Sequence, residues 1–349
     1  MANSKTLVSS HLIAELQESI NNWQGKDIFI LTDTKTLELC LPKISGLNKI
    51  KDAHIITIDN GDENKNIYSA IKIWEYLVEN NATRHSLMIN LGGGMITDIG
   101  GFTASTFKRG MKYINVSTTL LGAVDAATGG KTGINFLGYK NEIGVFSPAE
   151  VVLIDVDFFR TLDNRNLRSG FAEMIKHALI NSKEDWQEVL NFDLEDIDFE
   201  KLKTLLQKNI DIKERIVKSD PTEKGIRKAL NLGHTFGHAF ESLSYKKEKP
   251  ILHGYAIAWG LICELYLSLI KLNFPKEDFL KLKYFVTENY GKFDCGCNDY
   301  NEIIELMKHD KKNSSGDEIN FTLLSDVGEI VINQTATRKE IEECLDILF

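Results

Sequence analysis

The sequence predicts an α/β domain built on a mostly parallel sheet over residues 1–160, followed by a mainly α-helical domain over residues 161–349. Three observations predict it. Short apolar runs alternate with helical patterns up to about Val156, the pattern of strand–helix–strand units with both sheet faces covered. Long amphipathic segments take over beyond that point. The length of 349 residues also suits two domains at roughly 150 residues each.

In chain order, the runs at 28–31, 54–58, 87–92, 113–117 and 151–156 read as buried strands, with helical stretches between them such as 67–80. Ligands of such sheets bind at the carboxyl ends of the strands. Helices are expected over roughly 168–181, 199–218, 223–245, 253–271, 276–289 and 299–309. A strand pair, INFTLL and GEIVIN, follows, then a last helix opened by the capping box Thr337-x-x-Glu340. The run KKEKP at 246–250 reads as a solvated loop.

Composition narrows the function. A formal charge of −9 argues against a nucleic-acid partner, so an anionic substrate would need cations concentrated at its site. The first twenty residues hold no apolar h-region, and no apolar run approaches the roughly 18 residues of a membrane span. Five scattered cysteines (Cys40, Cys263, Cys295, Cys297, Cys344) do not form a disulfide framework. The C-x-C at 295–297 reads as loop chemistry rather than a metal site, and a reducing cytoplasm is expected.

Two glycine-rich stretches follow strands. LGGGMITDIGG leaves Gly92, Gly93 and Gly94 at a helix start, where the backbone can approach a ligand closely and free N–H groups suit a pyrophosphate; a plain tight turn is the alternative. Residues 117–144 carry Thr118, Thr119, Asp125, Lys131, Lys140 and Asn141. Its GGKT is not a P-loop, because Asp125 stands where that motif needs glycine. The lysines suit an anion of fixed geometry, or a solvated surface.

In the second half, RKALNLGHTFGHAFE over 227–241, read as one helix, aligns Arg227, Asn231, His234 and His238 on a polar stripe. Two histidines at i, i+4 can share a metal; surface or hydrogen-bonded histidines have the same spacing. Glu173, Lys176 and His177 are near neighbours on one helix, either as a surface ion pair or with Glu173 meeting histidines from elsewhere. Lys213 lies on an apolar stripe, so it snorkels outward or meets an anion. His253 opens a long apolar helix.

The ordered motifs LGGGMITDIGGFTASTFKRG, STTLLGAVDAATGGKTGIN, GYKNEIG, AEMIKHALI, GIRKALNLGHTFGHAFE, LHGYAIAWG and MKHDKK resemble those of the 3-dehydroquinate synthases, sugar-phosphate cyclases of the shikimate pathway, over about residues 33–328. The resemblance implies a Rossmann-like NAD-binding domain, a helical metal- and substrate-binding domain, and an active site in the cleft between them. It implies a homodimer in which Arg109 reaches the neighbouring subunit's site. The implied cofactors are NAD and one divalent metal ion, Zn²⁺ or Co²⁺. The implied metal ligands are Glu173, His234 and His253. The implied NAD contacts are Asp33, Asp62, Lys65, Gly93, Gly94, Asp98, Thr118, Thr119, Asp125, Lys140, Phe158 and Thr161. Substrate contacts fall on Arg109, Lys131, Asn141, Lys176, Lys213, Arg227, Asn231, His238 and one of Lys311 or Lys312, here Lys312; His238, Lys131, Lys176 and Asn231 carry catalysis.

The implied reaction converts 3-deoxy-D-arabino-heptulosonate 7-phosphate to 3-dehydroquinate and phosphate. NAD⁺ takes hydride from C5, phosphate leaves by β-elimination, the hydride returns, and the opened ring closes by an intramolecular aldol. The metal would lower the pKa of the hydroxyl being oxidised and His238 would relay its proton. Lys131, Asn141, Arg109 and Asn231 would hold the phosphate, and Arg227 and Lys213 the carboxylate. The chain departs from the family at Asp62, where glutamate is usual, at Tyr255 of HGYA, usually an acid, and in a longer loop before His253. Other cyclases act on sedoheptulose 7-phosphate or glucose 6-phosphate, which lack the carboxylate that Arg227, Lys213 and Lys176 suit. A metal-dependent polyol dehydrogenase would consume NAD. A non-catalytic NAD- or metal-binding protein would not need His238 and Lys131.

Overall fold

The computed structural model describes residues 5–25, 27–137, 139–308 and 319–348; Lys311 and Lys312 lie outside them. The chain divides into two compact units, Met1–Asp163 with Phe199–Ile210, and Asn164–Asp198 with Asp211–Phe349.

The first unit is built on six parallel strands. They are β1 (Lys5–Val8), β2 (Ile28–Asp33), β3 (His54–Ile58), β4 (Leu87–Gly92), β5 (Lys112–Ser117) and, after the hairpin described below, β8 (Val151–Ile154), in the order β1-β8-β5-β4-β2-β3. Strands β2 and β4 are buried at every position, as expected of uninterrupted apolar runs in the middle of a parallel sheet. The path turns back between β2 and β4: the chain runs outward to β3, then returns to the other side of β2. In doubly wound sheets that reversal marks the ligand crevice, and Asp33 and Gly92 stand at the carboxyl ends of the two strands. Helices α1 (Leu12–Asn21), α2 (Thr34–Leu39), α3 (Leu41–Ile44), α4 (Ile67–Glu79) and α5 (Gly94–Thr106) complete this part.

The glycine-rich stretch over 117–144 leads into an antiparallel hairpin, β6 (Lys131–Phe136) with β7 (Tyr139–Phe146). Gly133 and Gly144 pair across it, where a Cβ on either would press into the other strand's backbone. The glycines serve close strand approach here, which resembles loop composition in sequence.

The second unit is helical. It contains α6 (Asn164–Asn181), α7 (Lys183–Leu190), the later part of α8 (Phe199–Ser219), α9 (His234–Lys246), α10 (His253–Leu272), α11 (Lys276–Tyr290), α12 (Tyr300–Lys308) and α13 (Arg338–Asp346). The antiparallel pair β9 (Phe321–Asp326) and β10 (Glu329–Gln334) lies among them. The expected single helix over 223–245 is broken. Ile226–Asn231 is a 3₁₀ turn, and Gly233, at φ 80°, stops it before α9 begins. Helix α10 has the length and mean hydropathy (1.5) of a membrane span, but 67% of it is buried inside the unit, as in an all-apolar core helix.

Candidate active site

Helices α6, α9 and α10 converge on one carboxylate. Glu173 on α6 is fully buried. Its Oε1 lies 3.6 Å from His234 Nε2 on α9 and 3.4 Å from His253 Nε2 on α10. Its Oε2 is ion-paired with the Lys176 ammonium one turn along α6. Oε1 itself makes no hydrogen bond, although a buried carboxylate oxygen normally has a partner. The three donor atoms lie within 4.8 Å of one another. Two imidazoles and one carboxylate with an oxygen to spare are a donor set suited to Zn²⁺ or Co²⁺ with an open position.

Both imidazoles are held from behind. His234 Nδ1 is 3.1 Å from the Leu232 carbonyl, and His253 Nδ1 is 3.2 Å from Glu241 Oε2. Such partners turn Nε2 toward a metal and fix the tautomer. Burial by itself would raise the Glu173 carboxyl; Lys176, His234 and His253 outweigh it and hold the group well below the usual range. Burial would lower His253, yet Glu241 and Glu173 push it up to about 10. His238 sits one turn beyond His234, its ring 5.2 Å from that of His234 and 6.0 Å from that of His253. It is less buried than His234 and outside the donor cluster.

The substrate-side residues expected on this unit fall into two groups. Lys176 joins the donor cluster. Arg227 and Asn231 lie on the 3₁₀ turn, where Arg227 Nη1 donates to the Pro221 carbonyl (2.8 Å) and Asn231 Nδ2 to Glu223 Oε1 (2.8 Å). Arg227 and Lys213 are buried.

The residues expected to bind NAD cluster on the first unit at the carboxyl ends of its strands. Asp33 caps α2 by accepting from the backbone N–H groups of Lys35 and Thr36. Gly93 caps α5, and a Cβ there would come within 2.8 Å of Thr119 Cγ2. Thr118 N donates to the Gly92 carbonyl, which ties the end of β5 to that of β4. Lys65 Nζ reaches Asp98 Oδ2 (3.0 Å), Asn141 Oδ1 (2.7 Å) and Asp62 Oδ1 (3.5 Å), and Lys140 reaches Asp62 Oδ2 (3.0 Å). Asn141, expected on the substrate, therefore shares a cluster with residues expected on the cofactor. Burial pushes the Asp98 carboxyl up against the pull of Lys65. Asp125 is close enough to Asp98 to act on it electrostatically. The Phe158 ring is enclosed beneath the Lys43 ammonium, and Thr161 Oγ1 donates to the Phe158 carbonyl. Lys131 opens β6 and is exposed; Arg109 is exposed on a turn after α5.

Sequence reasoning missed three acids. Glu241 has a signal, because it follows His234 and His238 at i+7 on the same helix face. Glu264 is the lone acid of the apolar helix α10. It accepts from the backbone N–H groups of Gly233 (2.6 Å) and Thr235 (2.9 Å), so it caps α9 from another helix. Glu223, held at φ 60°, gives no signal beyond its position four residues before Arg227.

Residues 55–169 match the family model for the 3-dehydroquinate synthase N-terminal region, and residues 170–313 match its C-terminal counterpart. The chain is 49% identical over 346 residues to a 3-dehydroquinate synthase of Parabacteroides distasonis, covering 99% of this chain and 98% of that one. In fold it is similar to a 2-deoxy-scyllo-inosose synthase complexed with carbaglucose-6-phosphate, NAD⁺ and Co²⁺ (TM-score 0.87, 21% identity, 99% and 96% coverage). It is likewise similar to a 2-epi-5-epi-valiolone synthase from Streptomyces hygroscopicus with NAD⁺ and Zn²⁺ bound (TM-score 0.86, 23% identity, 100% and 97% coverage). The chain belongs to the 3-dehydroquinate synthase family.

Proposed function

We propose that this enzyme converts 3-deoxy-D-arabino-heptulosonate 7-phosphate to 3-dehydroquinate and phosphate, the second step of the shikimate pathway, with NAD and one divalent metal ion. The observation that carries the reading is the buried Glu173 oxygen facing two imidazole nitrogens at 3.4 and 3.6 Å. The 49% identical relative carries the same activity in its name, and the cofactors named with the two similar cyclases are carried over to this chain. Glu173, His234 and His253 would hold Zn²⁺ or Co²⁺, which when bound supplies Lewis acidity to a substrate hydroxyl. The NAD residues at the strand ends would hold the dinucleotide, which when bound supplies reversible hydride acceptance, so the cycle is redox-neutral.

The chain's own groups do the rest. His238, next to the donor cluster but outside it, takes the proton from the hydroxyl being oxidised. Lys176 keeps Glu173 ionised and would stand beside hydroxyls bound at the donor cluster. Arg227 and Lys213 suit the substrate carboxylate, where a guanidinium can donate twice. Lys131, Arg109, Asn141 and Asn231 suit the phosphate. The same local cations reconcile a chain of net charge −9 with a substrate that carries both a carboxylate and a phosphate. The five thiols are free, which suits a reducing cytoplasm. In this reading the N-terminal part would bind NAD and contribute Lys131, Arg109 and Asn141 to the substrate, and the C-terminal part would hold the metal and the remaining substrate groups.

Phosphate release from the heptulosonate phosphate is expected to require catalytic NAD, to stop with a chelator, and to return with Zn²⁺ or Co²⁺. NMR of the product, compared across sedoheptulose 7-phosphate and glucose 6-phosphate, tests the substrate. Turnover of either of those sugars in preference to the heptulosonate, or steady accumulation of NADH, would overturn the assignment.

A further inference from the structure

We propose that Glu241 is a positioning residue for the metal, fixing His253 so that Nε2 faces the donor cluster. The inference rests on the metal reading above. His253 is the first residue of α10, directly after an exposed charged loop, and its side chain is 23% exposed against 10% for His234. Left to itself, an imidazole there has freedom to turn. Two contacts remove that freedom. The backbone N–H of Ile251 donates to Ser244 Oγ of α9 (3.2 Å), which ties the loop down two residues before the histidine. Glu241 Oε2 then meets His253 Nδ1 at 3.2 Å while Nε2 lies 3.4 Å from Glu173 Oε1.

An ionised carboxylate can only accept a hydrogen bond. Glu241 therefore holds the proton on Nδ1, so that the proton a bound metal displaces is the one on Nε2, the arrangement a metal ligand needs. His234 is held differently, by the backbone carbonyl of Leu232. Each ligand is the first residue of its helix; the one opening α9 is held by a backbone carbonyl and the one opening α10 by a side chain. His234, His238 and Glu241 follow one another at i, i+4 and i+7, so one face of α9 carries the ligand, the proton relay and the group that orients the other imidazole.

The test uses the full chain, stripped of metal, and zinc affinity measured by competition with a chromophoric chelator. Wild type, His253→Ala and Glu241→Gln are compared, with the thermal midpoint of each metal-free protein recorded. Glu241→Gln is expected to weaken zinc binding by roughly 10–100-fold. A carboxylate that only packs the core would lower the midpoint and leave zinc affinity within about twofold of wild type, and that result overturns the proposal. If Glu241→Gln does not fold, ¹⁵N NMR of the imidazoles in the zinc-loaded wild type decides. A proton on His253 Nδ1 supports the role, and a proton on Nε2 removes it. Failure of the metal reading is separate: wild type would not bind zinc, or His253→Ala would bind it equally well.

Discussion

Glu173 carries two opposed demands on its two oxygens. Oε2 is neutralised by Lys176, while Oε1 has no hydrogen bond and faces two imidazoles. Removing Lys176 strands a fully buried carboxylate, so Lys176→Met is expected to destabilise the metal-free protein by about 3–5 kcal/mol. Denaturant titration checks this; a loss below about 1 kcal/mol would mean that the pair behaves like a surface one. The two histidines of α9 are expected to separate in their effects. His234→Ala removes a donor within the 4.8 Å cluster and should lose the metal. His238→Ala lies outside that cluster and should keep the metal while turnover falls by about 10²–10⁴-fold. Metal analysis beside single-turnover kinetics distinguishes them, and equal metal loss in both would make His238 a ligand.

Helix ends do most of the positioning, and they are also where the sequence is hardest to read. Gly93 opens α5 against Thr119, and a Cβ there would sit 2.8 Å from Thr119 Cγ2 and 2.9 Å from its Oγ1. Gly93→Ala is therefore expected to cost about 1–3 kcal/mol and to raise the NAD Kd by about tenfold or more, read by calorimetry. Unchanged NAD affinity would separate this turn from the dinucleotide. The five runs read as strands were legible because buried parallel strands are continuous apolar runs, as β2 and β4 are. Strand β1 was not, because KTLV is short and only partly buried. The hairpin β6–β7 was hidden because paired glycines resemble a loop in composition. Local periodicity could not reveal that 227–241 breaks at Gly233, since the cap that starts α9 comes from Glu264, 31 residues away. The three residues of the donor cluster lie in the ordered motifs, while the acids behind them depend on contacts between helices that no local pattern encodes.

At the scale of the whole molecule, Arg109 carries a prediction about assembly. Lys108 and Arg109 are both held in the left-handed region, at φ 48° and 66°, and Arg109 is exposed. Consecutive non-glycine residues in that region store strain, and such strain concentrates where a side chain must be aimed. The first unit also exposes apolar side chains on adjoining elements. On the hairpin they are Leu137 (82%) and Phe146 (50%); on α4 they are Tyr68 (79%) and Val78 (62%). Asn135 of β6 bridges to Asn66 at the start of α4, so the hairpin runs beside that helix. Exposed apolar surface of this kind suits self-association, and a two-fold dimer would present Arg109 to its partner symmetrically. If Arg109 serves the neighbouring subunit's phosphate, Arg109→Ala and His238→Ala are each inactive alone but complement one another. A mixed dimer holds one site with His238 intact and an intact arginine arriving from the other subunit. Its second site lacks both. Random reassociation makes half of the dimers mixed, so the mixture should recover about a quarter of wild-type activity. An Arg109 acting within its own subunit predicts no recovery at any mixing ratio, because every site would then lack one of the two groups.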